Sequence, residues 1–299
     1  MTVKYRKLGS TSLDLSVIGV GTWQFGGEWG KDFTQQEVDA ILHTAQEEGI
    51  NLIDTAECYG DHLSERLIGN YLKRHNREDW VVATKFGHHF HDNFERTRHV
   101  KADEVLKQLD DSLLSLQTDY IDLYQSHSLK AHEFDNDDLW TLLDKQKERG
   151  KIKHIGLSLQ NDPSVNQATK ATSVGAEALQ LIYNRLTRDV EETIFPVAKQ
   201  DNLGILARVP LASGYLTGKY KPGDHFGVND VRSRHDKEEQ RQKLLEVERL
   251  LKEEVPEGTD MATWALSWCL KNDLVTTVIP GCKTPEQVRK NAKAATLID

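Results

Sequence analysis

The sequence predicts an α/β fold, more specifically a (β/α)8 TIM barrel with a β-hairpin at its N-terminal end. Eight short apolar runs alternate with segments of helical periodicity along the chain, which is the pattern of successive βα units. The length of 299 residues also fits one barrel, because this architecture typically takes about 250 residues. We therefore expect a single domain over residues 1–299.

A doubly wound open sheet is the other architecture that such an alternation permits. No Gly-x-Gly-x-x-Gly sequence follows the first apolar strand, although a dinucleotide-binding open sheet would be expected to carry one there. Polar and ionisable residues also collect where the predicted strands end, at Asp54, Lys85, His127, Ser158 and Arg208. The C-terminal strand ends form the active-site face of a barrel, so this distribution favours the closed form.

The N-terminal hairpin is predicted at 5–8 and 13–16, because turn residues separate two short alternating runs there. The barrel strands are expected in the apolar runs that follow. These runs are 17–21, 51–54, 80–85, 121–125, 152–157, 178–183, 204–208 and 275–280.

Amphipathic helices are expected between the strands. Thr34 can cap the first helix together with Glu37, and Gly49 ends it. Apolar residues then recur on one face at helical spacing. The predicted helices are 34–48, 64–74, 101–116, 137–149, 164–172, 191–200, 237–253, 260–271 and 285–295.

Composition argues against several classes of protein. The net charge is -9, and no long basic stripe suggests a nucleic-acid surface. No apolar run approaches the roughly 18 residues that a membrane span needs, and no signal-peptide segment is apparent. Cys58, Cys269 and Cys282 are few and have no paired spacing, as in a reducing compartment. We expect a cytoplasmic protein without nucleic-acid or membrane partners.

Three strand ends deliver four side chains with complementary chemistry: Asp54, Tyr59, Lys85 and His127. A phenol has a reference pKa of about 10, and a nearby ammonium group such as that of Lys85 favours the phenolate and lowers this pKa. Asp54 could hold Lys85 by an ion pair, and His127 could orient a substrate carbonyl. This set suits protonation of a carbonyl oxygen while hydride reaches the carbon.

Two other chemistries find less support. No serine or cysteine nucleophile is paired with a base, and no ligand spacing indicates a metal, so no metal is expected. His88, His89 and His91 follow Lys85, but no acid or cysteine completes a recognisable ligand set with them. We expect them in a polar loop on the substrate side, and we expect Cys58 to be a small residue without a chemical role.

The joint pattern of Asp54, Tyr59, Lys85 and His127 resembles the aldo-keto reductase family, and the similarity extends to about residue 295. The resemblance implies a (β/α)8 barrel that binds NADP(H), with NAD(H) less favoured, and reduces small aldehydes or ketones with Tyr59 as general acid. Within the family, the chain most resembles bacterial reductases of the branch that includes the potassium-channel β subunits. A cofactor-bound redox-sensing or regulatory subunit with little turnover is the alternative.

The same resemblance implies a set of cofactor contacts. Small residues after the seventh strand would offer backbone N–H groups to the pyrophosphate, and Lys219 would add a positive charge. The implied contacts are Gly21, Thr22, Trp23, Asp54, Ser158, Gln180, Arg208, Val209, Pro210, Leu211, Ala212, Ser213, Gly214, Lys219, Arg232, Gly281, Cys282, Lys283, Gln287 and Asn291.

The sequence departs from the family pattern at three of these places. The asparagine that follows the fifth strand in many members is missing, and Gln160 is the candidate substitute. Arg208 stands where many members stack an aromatic ring on the nicotinamide, and a planar guanidinium could stack there too. Gln287 stands where an arginine is common, so Lys283 and Arg289 are the cations expected at a 2′-phosphate.

Overall fold

Two hairpins and a barrel account for the strands of the computed structural model, which describes residues 3–298. In chain order the strands are β1 (Tyr5–Lys7), β2 (Asp14–Ser16), β3 (Val20–Gly21), β4 (Leu52–Asp54), β5 (Val81–Phe86), β6 (His88–Asp92), β7 (Glu95–Arg98), β8 (Ile121–His127), β9 (Ile152–Ser158), β10 (Ala176–Ile182), β11 (Gly204–Arg208) and β12 (Val275–Val278). The pairs β1–β2 and β6–β7 are antiparallel hairpins.

The other eight strands form one parallel sheet in the order β3-β4-β5-β8-β9-β10-β11-β12. The two edges of this sheet meet, because Ile18 bridges Val278 and Gly21 bridges Gly281, both in parallel. The amide of Gly19 also donates to the carbonyl of Val278 at 2.8 Å. The structure therefore confirms the predicted barrel.

The N-terminal hairpin covers the bottom of the barrel. Leu8, at the hairpin turn, is fully buried and belongs to one apolar cluster with Leu52, Leu123 and Leu206 from the barrel strands. A β-carbon at Gly204, the first residue of β11, would come within 2.3 Å of the Leu8 side chain. This end is therefore packed, and the C-terminal strand ends are left to carry the polar residues.

The helices follow the predicted alternation. They are α1 (Gln35–Glu47), α2 (Leu63–Leu72), α3 (Ala102–Leu116), α4 (Ala131–Phe134), α5 (Asp137–Glu148), α6 (Val165–Thr169), α7 (Val190–Thr193), α8 (Phe195–Gln200), α9 (Lys237–Glu253), α10 (Met261–Leu270) and α11 (Pro285–Lys293). Thr34 and Glu37 form the expected reciprocal cap of α1. No helix within residues 3–298 combines the length and the apolar character that crossing a bilayer requires.

Three local expectations were wrong. The helix predicted at 164–172 ends at Thr169. The one predicted at 191–200 is divided into α7 and α8, because Pro196 lacks the N–H that a continuous helix would use. The segment after Lys85 is a hairpin rather than a loop. It lacks the apolar alternation that predicts strands, since its half-buried positions are mostly polar.

Candidate active site

Asp54 and Lys85 lie side by side where β4 and β5 end. Both are buried, with Lys85 1% exposed and Asp54 3% exposed. Lys85 Nζ donates to Asp54 Oδ1 and to the carbonyl of Thr55, each at 2.7 Å. Burial is the largest single influence on the pKa of Lys85 and lowers it, but the charge of Asp54, its hydrogen bond and the nearby Tyr59 together outweigh burial and hold that pKa above its ordinary value. Lys85 therefore stays charged inside the barrel mouth.

The second carboxylate oxygen of Asp54 accepts two side-chain amides. Gln180 Nε2 donates to it at 2.6 Å and Gln125 Nε2 at 3.2 Å. Ser158 Oγ in turn contacts Gln180 Oε1 at 3.4 Å. Sequence reasoning missed Gln125, whose signal is an amide inside the apolar run of β8. In this structure Gln180 holds Asp54, and its contact with a cofactor carboxamide stays a prediction.

Tyr59 brings its phenol to this ion pair, with Oη 3.5 Å from Lys85 Nζ. The ring stacks on Trp23 at a centroid distance of 6.0 Å. Burial raises the pKa of Tyr59 to about 12; Lys85 opposes this rise and Asp54 adds to it. The expected lowering effect of Lys85 on this pKa is therefore present, but burial exceeds it and makes the net shift upward. The phenol is protonated at neutral pH, as a proton donor must be.

His127, at the end of β8, faces Tyr59 with its ring edge at a centroid distance of 6.3 Å. Burial, Lys85 and Arg208 hold the pKa of His127 well below its usual value, so the imidazole is neutral. Its Nδ1 lies 3.7 Å from Cys58 Sγ, and burial raises the pKa of that thiol. A thiol that donates to Nδ1 leaves the histidine proton on Nε2, available to a carbonyl oxygen.

The β6–β7 hairpin forms one wall of the site. Arg98 Nη1 donates to His88 Nε2 at 2.9 Å and to the carbonyl of His127 at 3.0 Å, and Arg98 also pairs with Glu133. His88 stands against His127, with ring centroids 4.6 Å apart. His89 and His91 lie on the exposed side. The histidine cluster of the sequence is thus divided between the site and solvent.

Glu28 fixes this hairpin to the loop after β3. Its carboxylate is fully buried and accepts from Trp23 Nε1 and from the amide of Phe94, each at 2.6 Å, as well as from Arg96. Sequence reasoning missed Glu28. An acid inside a glycine- and tryptophan-rich loop gives little indication that three donors converge on it.

The loop after β3 also packs closely against the last strand. A β-carbon at Gly21 would lie 2.6 Å from the carbonyl oxygen of Ile279, so this position requires glycine. Thr22 Oγ1 donates to the carbonyl of Asp54 at 2.9 Å. Gln24, a further residue that the sequence did not single out, donates to the carbonyls of Gly21 and Cys282, both at 2.8 Å.

Arg208 is the last residue of β11, and Gln160 follows β9. Arg208 Nη2 donates to the carbonyl of Leu159 and to Asn161 Oδ1, each at 3.0 Å, while its Nε is buried without a partner. Gln160 instead donates to the carbonyls of Ser128 and Leu129. The Gln160 amide is thus engaged by two carbonyls in this structure, and its role in place of the missing asparagine stays a prediction. Asn161 is the amide that lies beside Arg208.

The segment after β11 has an unusual backbone. Val209, Ala212, Ser213 and Gly214 all have positive φ angles, of 55°, 48°, 58° and 90°. Non-glycine residues adopt such angles at a cost, and they cluster at ligand sites. The predicted contacts Pro210 and Leu211 lie in the same segment. An apolar cluster shared with α9 and α10 supports it.

Arg232 reaches this segment from the long loop before α9. It forms a two-pronged pair with Asp230, at 2.9 and 2.7 Å. Arg232 Nη1 also lies 3.4 Å from the carbonyl oxygen of Ser213. Asp230 in turn bridges Trp29, so the long loop is hydrogen-bonded to the loop after β3. Arg232 is the residue that joins both loops to the predicted pyrophosphate segment.

Basic side chains gather at the far end of the predicted cofactor groove. Lys283 Nζ donates to the carbonyl of Trp29 at 2.6 Å. Burial and the charge of Arg232 lower the pKa of Lys283, with further contributions from Lys219 and Lys31. Such a concentration of positive charge favours an anionic ligand.

The remaining predicted adenosine contacts lie around Lys283. The backbone amide of Lys283 donates to Gln287 Oε1 at 2.7 Å. Cys282 and Asn291 are buried, and Gly281 is exposed. Arg289 lies 3.6 Å from Glu47 and 3.9 Å from Glu48. The parts of Lys283 and Arg289 in recognising a 2′-phosphate stay predictions.

Comparison with known proteins identifies the family. The model of the Aldo/keto reductase family matches residues 17–298. The aldo-keto reductase YhdN of Bacillus subtilis is 31% identical over 96% of this chain and 87% of its own length. The NADH-specific methylglyoxal reductase of Escherichia coli is 31% identical over 96% of this chain and 92% of its own length.

Solved structures agree with this result. The holo form of aldo-keto reductase AKR11C1 from Bacillus halodurans has a TM-score of 0.81 at 28% identity and covers 98% of this chain and 90% of its own. The glycerol dehydrogenase AKR11B4 from Gluconobacter oxydans has a TM-score of 0.83 at 28% identity, with the same coverage. Placement beside the potassium-channel β subunits stays a prediction. The chain therefore belongs to the aldo/keto reductase family of oxidoreductases.

Proposed function

We propose that this protein is an NADP(H)-dependent reductase that converts small aldehydes or ketones into alcohols, with Tyr59 as general acid. The observation that carries the proposal is the convergence at the strand ends of a protonated phenol, a buried ammonium group and a neutral imidazole. Lys85 Nζ is 3.5 Å from the Tyr59 hydroxyl and 2.7 Å from Asp54. A donor, a stabiliser of the resulting anion and an orienting group are what carbonyl protonation needs.

The residues present fit a nicotinamide dinucleotide. Lys219, Arg232 and Lys283 supply positive charge for its phosphates, and the strained segment 209–214 offers backbone groups beside them. The buried, unpartnered Nε of Arg208 marks a donor at the strand-end face with no acceptor of its own. When bound, the cofactor supplies the hydride that reaches the carbonyl carbon.

Each residue of the catalytic set has a distinct task. Tyr59 gives its proton to the carbonyl oxygen, and the phenolate that remains is stabilised by Lys85. Asp54 keeps Lys85 charged and in place, with Gln180 and Gln125 fixing the carboxylate. His127 donates from Nε2 to the same carbonyl oxygen, which orients the substrate and polarises the bond. Solvent returns the proton to Tyr59 after release of the alcohol.

Small and oxygen-rich carbonyl compounds are the substrates to test first. Trp23 and Trp29 meet edge to face at 5.2 Å beside Tyr59, and His88 stands across from them on the hairpin. The names of two relatives, a methylglyoxal reductase and a glycerol dehydrogenase, point to the same class.

A cytoplasmic location and a single-domain organisation are part of this proposal.

The choice between NADP(H) and NAD(H) rests on Lys283. Its ammonium group lies among the basic side chains at the adenosine end of the groove, where a 2′-phosphate would add two negative charges. NAD(H) is the second candidate, because Arg289 is held by Glu47 and Glu48 and one relative is named as NADH-specific. A single substitution separates these two cofactors.

Replacing Lys283 by alanine is expected to weaken NADPH binding by about tenfold or more and to change NADH binding much less. A charge-assisted hydrogen bond contributes about 1.5–3 kcal/mol, and about 1.4 kcal/mol corresponds to tenfold in affinity. Tryptophan fluorescence titration measures both dissociation constants. Lys290→Ala is the matched control, because it removes an exposed lysine of α11. Equal weakening of both cofactors would show that Lys283 does not recognise the 2′-phosphate.

The function itself is tested by titrating the protein with NADPH and NADH and then following NADPH oxidation with methylglyoxal, glyceraldehyde and simple ketones. Tight NADPH binding with turnover on at least one carbonyl compound supports the reductase. Tight binding without turnover contradicts it and supports the cofactor-bound regulatory subunit. Absence of any nicotinamide binding contradicts both.

A further inference from the structure

Four side chains of metal-ligand type converge at one side of the proposed active site: Glu57, Cys58, His88 and His127. Their ligand atoms all lie within 4.8 Å of one another. Cys58 Sγ is 3.7 Å from His127 Nδ1, and Glu57 Oε2 is 3.9 Å from the same nitrogen. Glu57 Oε1 is 3.9 Å from His88 Nδ1. Ligands at 2.0–2.3 Å from a tetrahedral zinc ion are about 3.3–3.8 Å apart, so small movements would complete such a shell.

Two atoms of this cluster lack hydrogen-bond partners. Glu57 Oε2 and His88 Nδ1 are both buried and unpaired, and the Glu57 side chain is only 3% exposed. Buried polar atoms in folded proteins are nearly always paired, and each unpaired one costs about 1–3 kcal/mol. Both belong to side chains whose ligand atoms lie within 4.8 Å of one another. A cation placed between them would satisfy the two at once.

An open cavity of about 470 Å³ leads to the cluster. Glu57 and His88 line it together with Asp61, Glu104, Asp111 and Lys107, and with three further histidines, His62, His89 and His99. Four carboxylates against one lysine favour cations in this cleft. The cavity therefore supplies the entry path that a buried metal site requires.

The charges of a filled site would balance. A thiolate and a carboxylate neutralise a divalent ion, and the two imidazoles add no charge, so nearby Lys85, Arg96 and Arg98 would face a neutral group. Cys58 releases its thiol proton on binding, as a coordinating thiol does. His88 Nε2 accepts from Arg98 Nη1. For His88 to coordinate through Nδ1, its proton must move to Nε2, and Arg98 Nη1 must move away from Nε2 and from the His127 carbonyl that it also contacts. Arg98 Nη2 can keep its contact with Glu133.

We propose that Glu57, Cys58, His88 and His127 form a binding site for a divalent transition-metal ion, with Zn²⁺ the best match. Thiolate, imidazole and carboxylate together are a zinc-type ligand set. His127 would bind through Nδ1 and keep its Nε2 proton, so the ion would take the place of the Cys58 thiol proton. The site lies outside the predicted cofactor contacts and does not depend on the proposed reductase activity.

Cobalt is the probe that tests this site directly. The purified full-length protein, freed of metal with a chelator and kept reduced, is titrated with Co²⁺. We expect one equivalent to bind, with the near-ultraviolet absorption of a thiolate–cobalt bond and the strong visible bands of four-coordinate cobalt. Zn²⁺ should then displace it. Binding without thiolate absorption, or no binding at all, would overturn the proposal.

Variants assign the ligands. Cys58→Ser should abolish the thiolate absorption and weaken Zn²⁺ by at least about tenfold, since even residues that only orient a metal ligand change affinity by 10–100-fold. His88→Gln should weaken Zn²⁺ similarly and keep the absorption. His91→Gln is the control, because His91 is exposed and contacts Thr97. If His91→Gln weakens binding and His88→Gln does not, the surface histidines bind the metal and the proposal fails. Should Cys58→Ser fail to fold, His88→Gln decides.

Discussion

Replacing Tyr59 by phenylalanine is expected to lower carbonyl reduction by about two to four orders of magnitude, which is the usual contribution of a positioned general acid. The substitution removes only the hydroxyl group. The ring that stacks on Trp23 at 6.0 Å remains, as does the ion pair between Lys85 and Asp54 at 2.7 Å. Nicotinamide affinity should therefore change little. Single-turnover oxidation of NADPH with the best carbonyl substrate measures the first effect, and fluorescence titration the second.

Tyr5→Phe is the matched control, because the Tyr5 hydroxyl donates to the carbonyl of Gly49 at the other end of the barrel. It should retain the wild-type rate. Turnover retained in Tyr59→Phe would move the proton donor elsewhere, with His127 the next candidate. An equal loss in both variants would indicate a general defect of folding rather than loss of the acid.

The barrel and the convergence of the four side chains could be predicted because their signals are local. Each strand is a short apolar run, and the runs that precede Asp54, Lys85 and His127 end on an ionisable residue. Parallel strands bring their C-terminal ends to one face. Spacing along the chain therefore was enough to group Asp54, Tyr59, Lys85 and His127 before any coordinates were known.

The direction of the net pKa shift of Tyr59 could not be predicted in the same way. The sequence shows that Lys85 is near, but the net pKa depends on how deeply the phenol is buried and on how much Asp54 offsets the ammonium charge. Both quantities come from packing. Gln125 and Glu28 escaped notice for a similar reason, since their partners Asp54 and Arg96 lie far away in the chain and no local pattern links them.

The β6–β7 hairpin shows where periodicity fails. Its inward positions include His88, Arg96 and Arg98, which are held by carboxylates and carbonyls rather than by apolar packing. A strand stabilised by polar contacts has no hydrophobic alternation to reveal it. The same hairpin brings His88 to Glu57 and Cys58, so the proposed metal site depends on an element that sequence reasoning did not foresee.

Replacing Lys85 by methionine is the second change with a large expected effect. It should destabilise the protein by about 3–5 kcal/mol, because removal of one member of a buried ion pair leaves the other charge unpaired. Asp54 is 3% exposed, and its remaining donors are the neutral amides of Gln180 and Gln125. Turnover should also fall by about a hundredfold or more, since nothing then stabilises the Tyr59 phenolate. Urea unfolding and NADPH oxidation measure the two effects.

The double variant Asp54→Asn/Lys85→Met separates charge from packing. With both charges removed, much of the lost stability should return, because a buried pair replaced by neutral groups of similar volume is often close to neutral in stability. Turnover should remain low, since the ammonium group is still absent. Lys107→Met controls for the loss of a lysine: its pair with Asp111 is exposed, and such pairs contribute less than about 1 kcal/mol. A double variant as unstable as Lys85→Met would mean that the site needs Lys85 for its shape, through the contact with the Thr55 carbonyl, rather than for its charge.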